Sequence, residues 1–185
     1  SSAILKLYSS GMTDEEMRVI IESLYDAGVS KSYVSSVTDA VMEDVEAFKK
    51  RALPPRFFCL YLDSTYLPLR RGSVQKEAVN IALGIDAEGN SMVVGYSITP
   101  EESAEAYREL LADFKARGLS EVAVVVSDGL AGIDGAVDAS FPKAKRQRCF
   151  LHLMRNLCSK VRPADRKEAA ADFMSIAKRA NKEEA

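Results

Sequence analysis

The stretch Ala123–Gly132 reads AVVVSDGLAG: an apolar run closes on an aspartate, Asp128, and a glycine follows it. Phe57–Asp63, FFCLYLD, does the same, with six apolar or aromatic residues and then Asp63. Short continuous apolar runs belong to strands covered on both faces, as in parallel sheets packed beneath helices. One such run ending in a carboxylate is ordinary. Two in one chain suggest that both carboxylates are delivered to one place.

The segments between and beyond these runs supply the rest of a layered domain. Ala78–Asp86 alternates, with Val79, Ile81, Leu83 and Ile85 on one face and small residues on the other. A turn at Asp86–Asn90 leads into Met92, Val94, Tyr96 and Ile98, again alternating, so an antiparallel meander is predicted. Thr99 then reads as a helix N-cap, Pro100 as the first helical residue and Glu102 as the close of a capping box. Tyr107, Leu110, Leu111 and Phe114 form that helix's buried stripe, and Gly118 ends it. A helical crossover of this length makes the strand Val122–Val126 parallel to the first one. A helix over 130–139, a short strand near Gln147–Cys149, and helices over 150–161 and 164–180 complete the pattern. The fold class is α/β: a mixed sheet of three antiparallel strands followed by α-β-α-β.

Upstream, residues 1–50 read as helical. Thr13 and Glu16 form a capping box, with Met17, Ile20, Ile21 and Leu24 at helical spacing. Gly28 breaks the pattern, and Ser30 caps a second helix with Val34, Val37, Val41, Val45 and Phe48 on one face. Two helices across a short glycine-containing turn fit a DNA-binding helix-turn-helix or a plain helical hairpin. Ala52–Arg56, with its double proline, is a linker.

With 185 residues, 47% of them hydrophobic, the chain can bury a sizeable core. It contains no apolar run of membrane-spanning length and no signal-peptide pattern, and it starts within an apolar-periodic stretch as though cut from something longer. Three cysteines without a CxxC pair fit a reducing cytoplasm better than a disulfide framework. Net charge is −2, yet Lys143–Lys167 holds nine basic residues against Asp165 alone. That segment suits either a phosphate backbone or a solvated face.

Two carboxylates at neighbouring strand ends repel each other unless a cation sits between them, and hard oxygen ligands favour Mg²⁺ or Mn²⁺. The alternative is that Asp63 and Asp128 are independent caps. Gly129, Gly132 and Gly135 are followed by no GK[ST], so they form no P-loop, and no GxSxG elbow is present. Cys149-x-x-His152 offers two zinc ligands where a structural site needs four. Otherwise His152 belongs, with Arg155, Asn156 and Ser159, to a polar stripe on a helix whose Phe150, Leu151, Leu153, Met154, Leu157 and Val161 are buried.

The motifs YLDSTYLPLRR, AVNIALGIDAEGNSMVVGYSI, EES, LLADFKARGL and VVVSDGLAGIDGAVDASFPKAKRQRCFLHLMRN occur in that order. Together they resemble the Mutator-like transposases of bacterial insertion sequences, from about Leu7 to the C-terminus. GMT…VSKSYVSSVTDAV is similar to that family's DNA-binding region. The resemblance implies a ribonuclease-H-like fold and an Asp-Asp-Glu metal site for DNA cleavage and strand transfer. Asp63 and Asp128 match the two aspartates, and Cys149 and His152 match a C-x-x-H motif. The glutamate is expected beyond Ala185, past a helical insertion starting near residue 161, since Glu168, Glu183 and Glu184 do not match its context. Residues 1–51 are then the DNA-binding region and 57–160 the incomplete catalytic core. Weakly bound or absent Mg²⁺ or Mn²⁺ and no cleavage are expected of residues 1–185 alone. The implied partners are terminal inverted repeats and target DNA, within a homo-oligomer. Lys31, Ser32, Ser35, Ser36, Arg146, Arg148 and Arg155 are the expected DNA contacts. A DNA-binding remnant without catalysis and a small-molecule Mg²⁺ enzyme are the rival readings.

Overall fold

The computed structural model describes Glu16, Val19, Ile20 and residues 31–71 and 73–177, apart from the side chains of 31–38, 40, 70, 71, 73 and 177. The capping box at Thr13, the apolar residues Met17, Ile21 and Leu24, Gly28 and the Ser30 cap lie outside the described residues. The chain divides into two compact units, Ser1–Arg51 and Ala52–Ala185. In the first, helix α1 spans Lys31–Lys50. Its last turn carries Lys49 and Lys50, where a cation favours the helix dipole, and Glu46 lies 3.3 and 3.7 Å from their ammonium groups.

The second unit holds β1 (Arg56–Arg71), β2 (Ser73–Ile85), β3 (Ser91–Thr99), α2 (Ala104–Ala116), β4 (Glu121–Ser127), α3 (Ile133–Ser140), β5 (Lys145–Arg148), α4 (Phe150–Lys160) and α5 (Arg166–Ala177). The five strands lie in the order β3-β2-β1-β4-β5, with β1, β2 and β3 antiparallel and β4 and β5 parallel to β1. This is the expected mixed α/β sheet, three antiparallel strands followed by α-β-α-β. Leu60 and Leu62 of β1 and Val125 of β4 meet Tyr107, Leu111 and Phe114 of α2 and Ile133 and Val137 of α3 in one core. Among the described residues no helix is long and apolar enough to cross a membrane. The three cysteines are free thiols, Cys59 buried and the others half-buried.

Three local expectations need correction. First, β1 does not stop at Asp63 but runs on to Arg71, paired with β2 the whole way. On β2 the small residues face the core. Ala78, Asn80 and Ala82 are fully buried while Ile81 on the other face is 37% exposed. The large rings of Phe57 and Phe114 need glycine-sized space above the sheet, so bulk comes from one partner and flatness from the other. Second, the alternation of β3 breaks. Ala82 pairs with Gly95 and Leu83 with Val93, which leaves Val94 as the extra residue of a bulge. A one-residue insertion reverses every later side chain, so Val94 and Gly95 are both buried and Ile98 is 39% exposed. Third, α4 has no fully buried residue, and Leu151 is 54% exposed. The helix packs laterally on α5, with Phe150 stacked on Phe173 at 4.6 Å between ring centroids, instead of sinking into the core.

The start of α2 also differs. Its N-cap is Ser103, whose hydroxyl accepts the Ala106 N–H at 3.1 Å. Thr99 is still strand, paired with Ala78; its hydroxyl accepts from Asn80 and donates to the Glu101 carbonyl at 2.8 Å. A residue held by the sheet register has no hydroxyl left for a helix, so the cap moves to the next serine. Glu102 is thereby released from the helix.

Candidate active site

Asp63 stands in β1 where its pairing with β4 ends. The last registered partners are Tyr61 and Val126, so Asp63 and Asp128 are each two residues further along parallel neighbours. Asp63 is on the face of β1 opposite to Leu60 and Leu62, and Asp128 is the first residue after β4, which ends at Ser127. The carboxyl ends of such strands are where open α/β sheets place their sites. The Asp63 side chain is 64% exposed and Oδ1 accepts the Ser64 N–H at 2.9 Å. Asp128 Oδ1 accepts the Leu130 N–H at 3.0 Å, which folds the loop into an Asx turn. Gly129 follows with φ +92°, and a Cβ there would lie 3.0 Å from Nε of Arg148. Glycine therefore serves twice: it takes the left-handed turn and admits the guanidinium beside Asp128.

Cys149 and His152 come next along the chain. Cys149 is the N-cap of α4 and donates its N–H to the Ser127 carbonyl at 2.6 Å, tying the helix to the end of β4. His152 Nε2 lies 3.8 Å from Asp63 Oδ1, and its Nδ1 is buried with no hydrogen-bond partner. Among the described residues no group of three or more His, Cys, Asp or Glu is arranged to hold a metal ion. Arg146 is ion-paired with Asp138 and lies 4.0 Å from Asp134, both on α3. Arg148 lines the neighbouring cleft of about 390 Å³ together with Ser127, Gly129 and Arg146. Arg155 is exposed on α4, and the side chains of Lys31, Ser32, Ser35 and Ser36 lie outside the described residues.

Reading the sequence missed Glu102, which the displaced helix start puts beside this edge. Burial pushes its carboxyl above the usual carboxylate range, and the negative charges of Asp128 and Asp63 push the same way. The Tyr107 hydroxyl, donating to Oε1 at 2.9 Å, and His152 oppose the shift. The only sequence signal for it was the EES motif. A raised value means that the folded state favours the protonated carboxyl. That contribution is complete below the ordinary value of 4.5 and is lost as pH rises through the elevated folded value. Glu102→Gln should therefore raise Tm at neutral pH and leave it unchanged in acid. Thermal melts at both pH values check this, and an equal gain at both would contradict it.

A family model described as "Transposase, Mutator family" matches residues 1–185. The chain belongs to that family. This Mutator-family chain is 44% identical over 179 residues to the transposase of insertion sequence element IS1201 of Lactobacillus helveticus, a match covering 97% of this chain and 48% of that protein. It is 41% identical over 180 residues to the transposase of IS905 of Lactococcus lactis, covering 97% of this chain and 46% of the relative. The IS256 transposase of transposon Tn4001 of Staphylococcus aureus is 31% identical over 162 residues, 86% of this chain and 42% of that one. The chain thus spans about half the length of the curated relatives it matches. An HTLV-2 integrase catalytic core, solved with magnesium, covers 65% of this chain and 86% of its own at 14% identity; its TM-score of 0.33 is too low to bear weight.

Proposed function

We propose that this chain carries the DNA-binding region and part of the catalytic core of a DNA-cutting and DNA-joining transposase. Asp63 and Asp128 supply two of its three acids. The observation that supports this reading is the parallel pairing of β1 with β4, whose last registered pair, Tyr61 and Val126, lies two residues before each aspartate. Two exposed or half-exposed carboxylates offer hard oxygen donors, the set suited to Mg²⁺ or Mn²⁺. Asp63 and Asp128 would hold such ions, which would supply Lewis acidity for an attacking water or 3′-hydroxyl and for the leaving oxygen. The third acid, a glutamate, is proposed to lie outside residues 1–185, so these residues alone retain metal weakly and cleave nothing. His152 and Cys149 brace α4 against the sheet edge and bind no zinc.

Arg148 and Arg146 line the cleft beside Asp128, where a DNA phosphate finds guanidinium donors. Arg155 extends that surface, and residues 1–51 bind the element's terminal repeats through Lys31, Ser32, Ser35 and Ser36. The complete complex, with target DNA, is a homo-oligomer. Cleavage of DNA bearing the element's ends by the full-length protein tests the reading, with Mg²⁺ or Mn²⁺ supplied. Metal-dependent cleavage that survives both Asp63→Asn and Asp128→Asn would overturn it. For the N-terminal unit, Lys31→Glu is expected to weaken binding to all sequences alike and to reduce the salt slope by roughly one. A gel shift with unchanged affinity removes this helix from the interface.

A further inference from the structure

Glu102 is held in place from two sides. Its backbone N–H donates to the hydroxyl of Tyr66 at 3.2 Å, and Tyr66 stands three residues past Asp63 on β1. Its Oε1 accepts the hydroxyl of Tyr107 at 2.9 Å, and Tyr107, on α2, is 1% exposed. A phenol buried in the core with its hydroxyl on a carboxylate fixes that carboxylate firmly, because separating them would leave a buried donor unpaired. Neither contact serves the helix: Ser103 already caps α2. Tyr66 belongs to the α2 face of the sheet, whereas His152 reaches Asp63 from α4. Asp63 thus has a histidine from α4 on one side, and its strand holds Glu102 through Tyr66 on the other.

We propose that Glu102 is a positioning residue of the cation site, a third negative charge fixed by Tyr66 and Tyr107 outside the direct ligand set of Asp63 and Asp128. It rests on the reading of those two aspartates as metal ligands. Its charge strengthens the hold on a divalent cation, as carboxylates behind a ligand set do elsewhere. The upward push that Asp128 and Asp63 exert on the Glu102 carboxyl agrees with this placement. The arrangement also accounts for a glutamate kept half-buried at unfavourable cost in the cation-free chain: a cation relieves the repulsion that the three acids otherwise share.

The test is Mn²⁺ alone, titrated into the 185-residue chain and followed by the electron spin resonance signal of free Mn²⁺. Glu102→Gln keeps the shape and can still accept the Tyr107 hydroxyl. It should raise the Mn²⁺ Kd by about tenfold, at the lower end of what loss of an outer carboxylate costs. At neutral pH the same variant should raise Tm, whereas a merely structural residue would lose stability and affinity together. Tyr66→Phe, which keeps the charge and frees the loop, should give a smaller loss of affinity and provides a second arm if Glu102→Gln misfolds. Asp63→Asn and Asp128→Asn should abolish binding. If those two do so while Glu102→Gln and Tyr66→Phe both bind within twofold of the parent, the positioning role is wrong and the aspartate site stands. If the aspartate variants bind as the parent does, or the parent binds no Mn²⁺, both ideas fall.

Discussion

Replacing Asp128 with asparagine in the full-length protein should lower DNA cleavage about a thousandfold, roughly 4 kcal/mol of transition-state stabilisation. The substitution is nearly isosteric. The side-chain oxygen that accepts the Leu130 N–H at 3.0 Å is retained, so the turn into Gly129 keeps its geometry. What is lost is one negative charge, a metal ligand under the proposed function. The loss should therefore appear in the rate of cleavage, while the melting temperature stays within a degree or two of the parent. Single-turnover cleavage of DNA carrying the element's ends, with calorimetry alongside, separates the two effects. A drop below tenfold would remove Asp128 from the chemistry. A drop accompanied by early melting would make it a structural cap, the alternative that the sequence left open.

The second large effect is expected at the start of the neighbouring strand, β1. Phe57 is 1% exposed, and its ring lies over Gly84, where a Cβ would come within 2.7 Å of Cε1. Phe57→Ala should cost about 3–5 kcal/mol through lost burial and the hole left behind. That is a large share of the roughly 5–15 kcal/mol that holds a domain together. Gly84→Ala should cost about 1–3 kcal/mol, because the ring must yield to the new methyl. The two changes should not add. With the ring gone, the methyl introduced by Gly84→Ala enters free space, so the double variant should be more stable than the sum by about 1 kcal/mol or more. Urea unfolding of the four proteins measures this. Additivity within about 0.5 kcal/mol would show that ring and glycine are not fitted to each other.

The apolar runs at Phe57 and Ala123 were legible as central strands, and β1 does lie beside β4, but β1 is not covered on both faces: Phe58 and Tyr61 are exposed. What was not legible depended on tertiary competition. Asp63 looked like a strand end because only β4 stops there, while β2 carries β1 onward. Thr99 looked like a helix cap because no local rule reveals that the sheet has already claimed its hydroxyl. Met92, Val94, Tyr96 and Ile98 looked like one unbroken alternation because a bulge at Val94 leaves no mark in the residue pattern. The consequence for the site is Glu102, invisible while it was assigned to a capping box.

That bulge and the strand at the far end of the sheet bear on how the molecule behaves in a crowded solution. An exposed flat edge is a template on which another chain can add a strand. Here one outer strand, β3, is kinked at Val94, and the other, β5, is four residues long, Lys-Arg-Gln-Arg, all exposed. A kink spoils the template, and three cations in four positions repel a second copy of themselves. Edge-to-edge stacking into fibrils is thus disfavoured at both ends by devices that leave the core untouched, and the same cations stay at the surface to meet a polyanion.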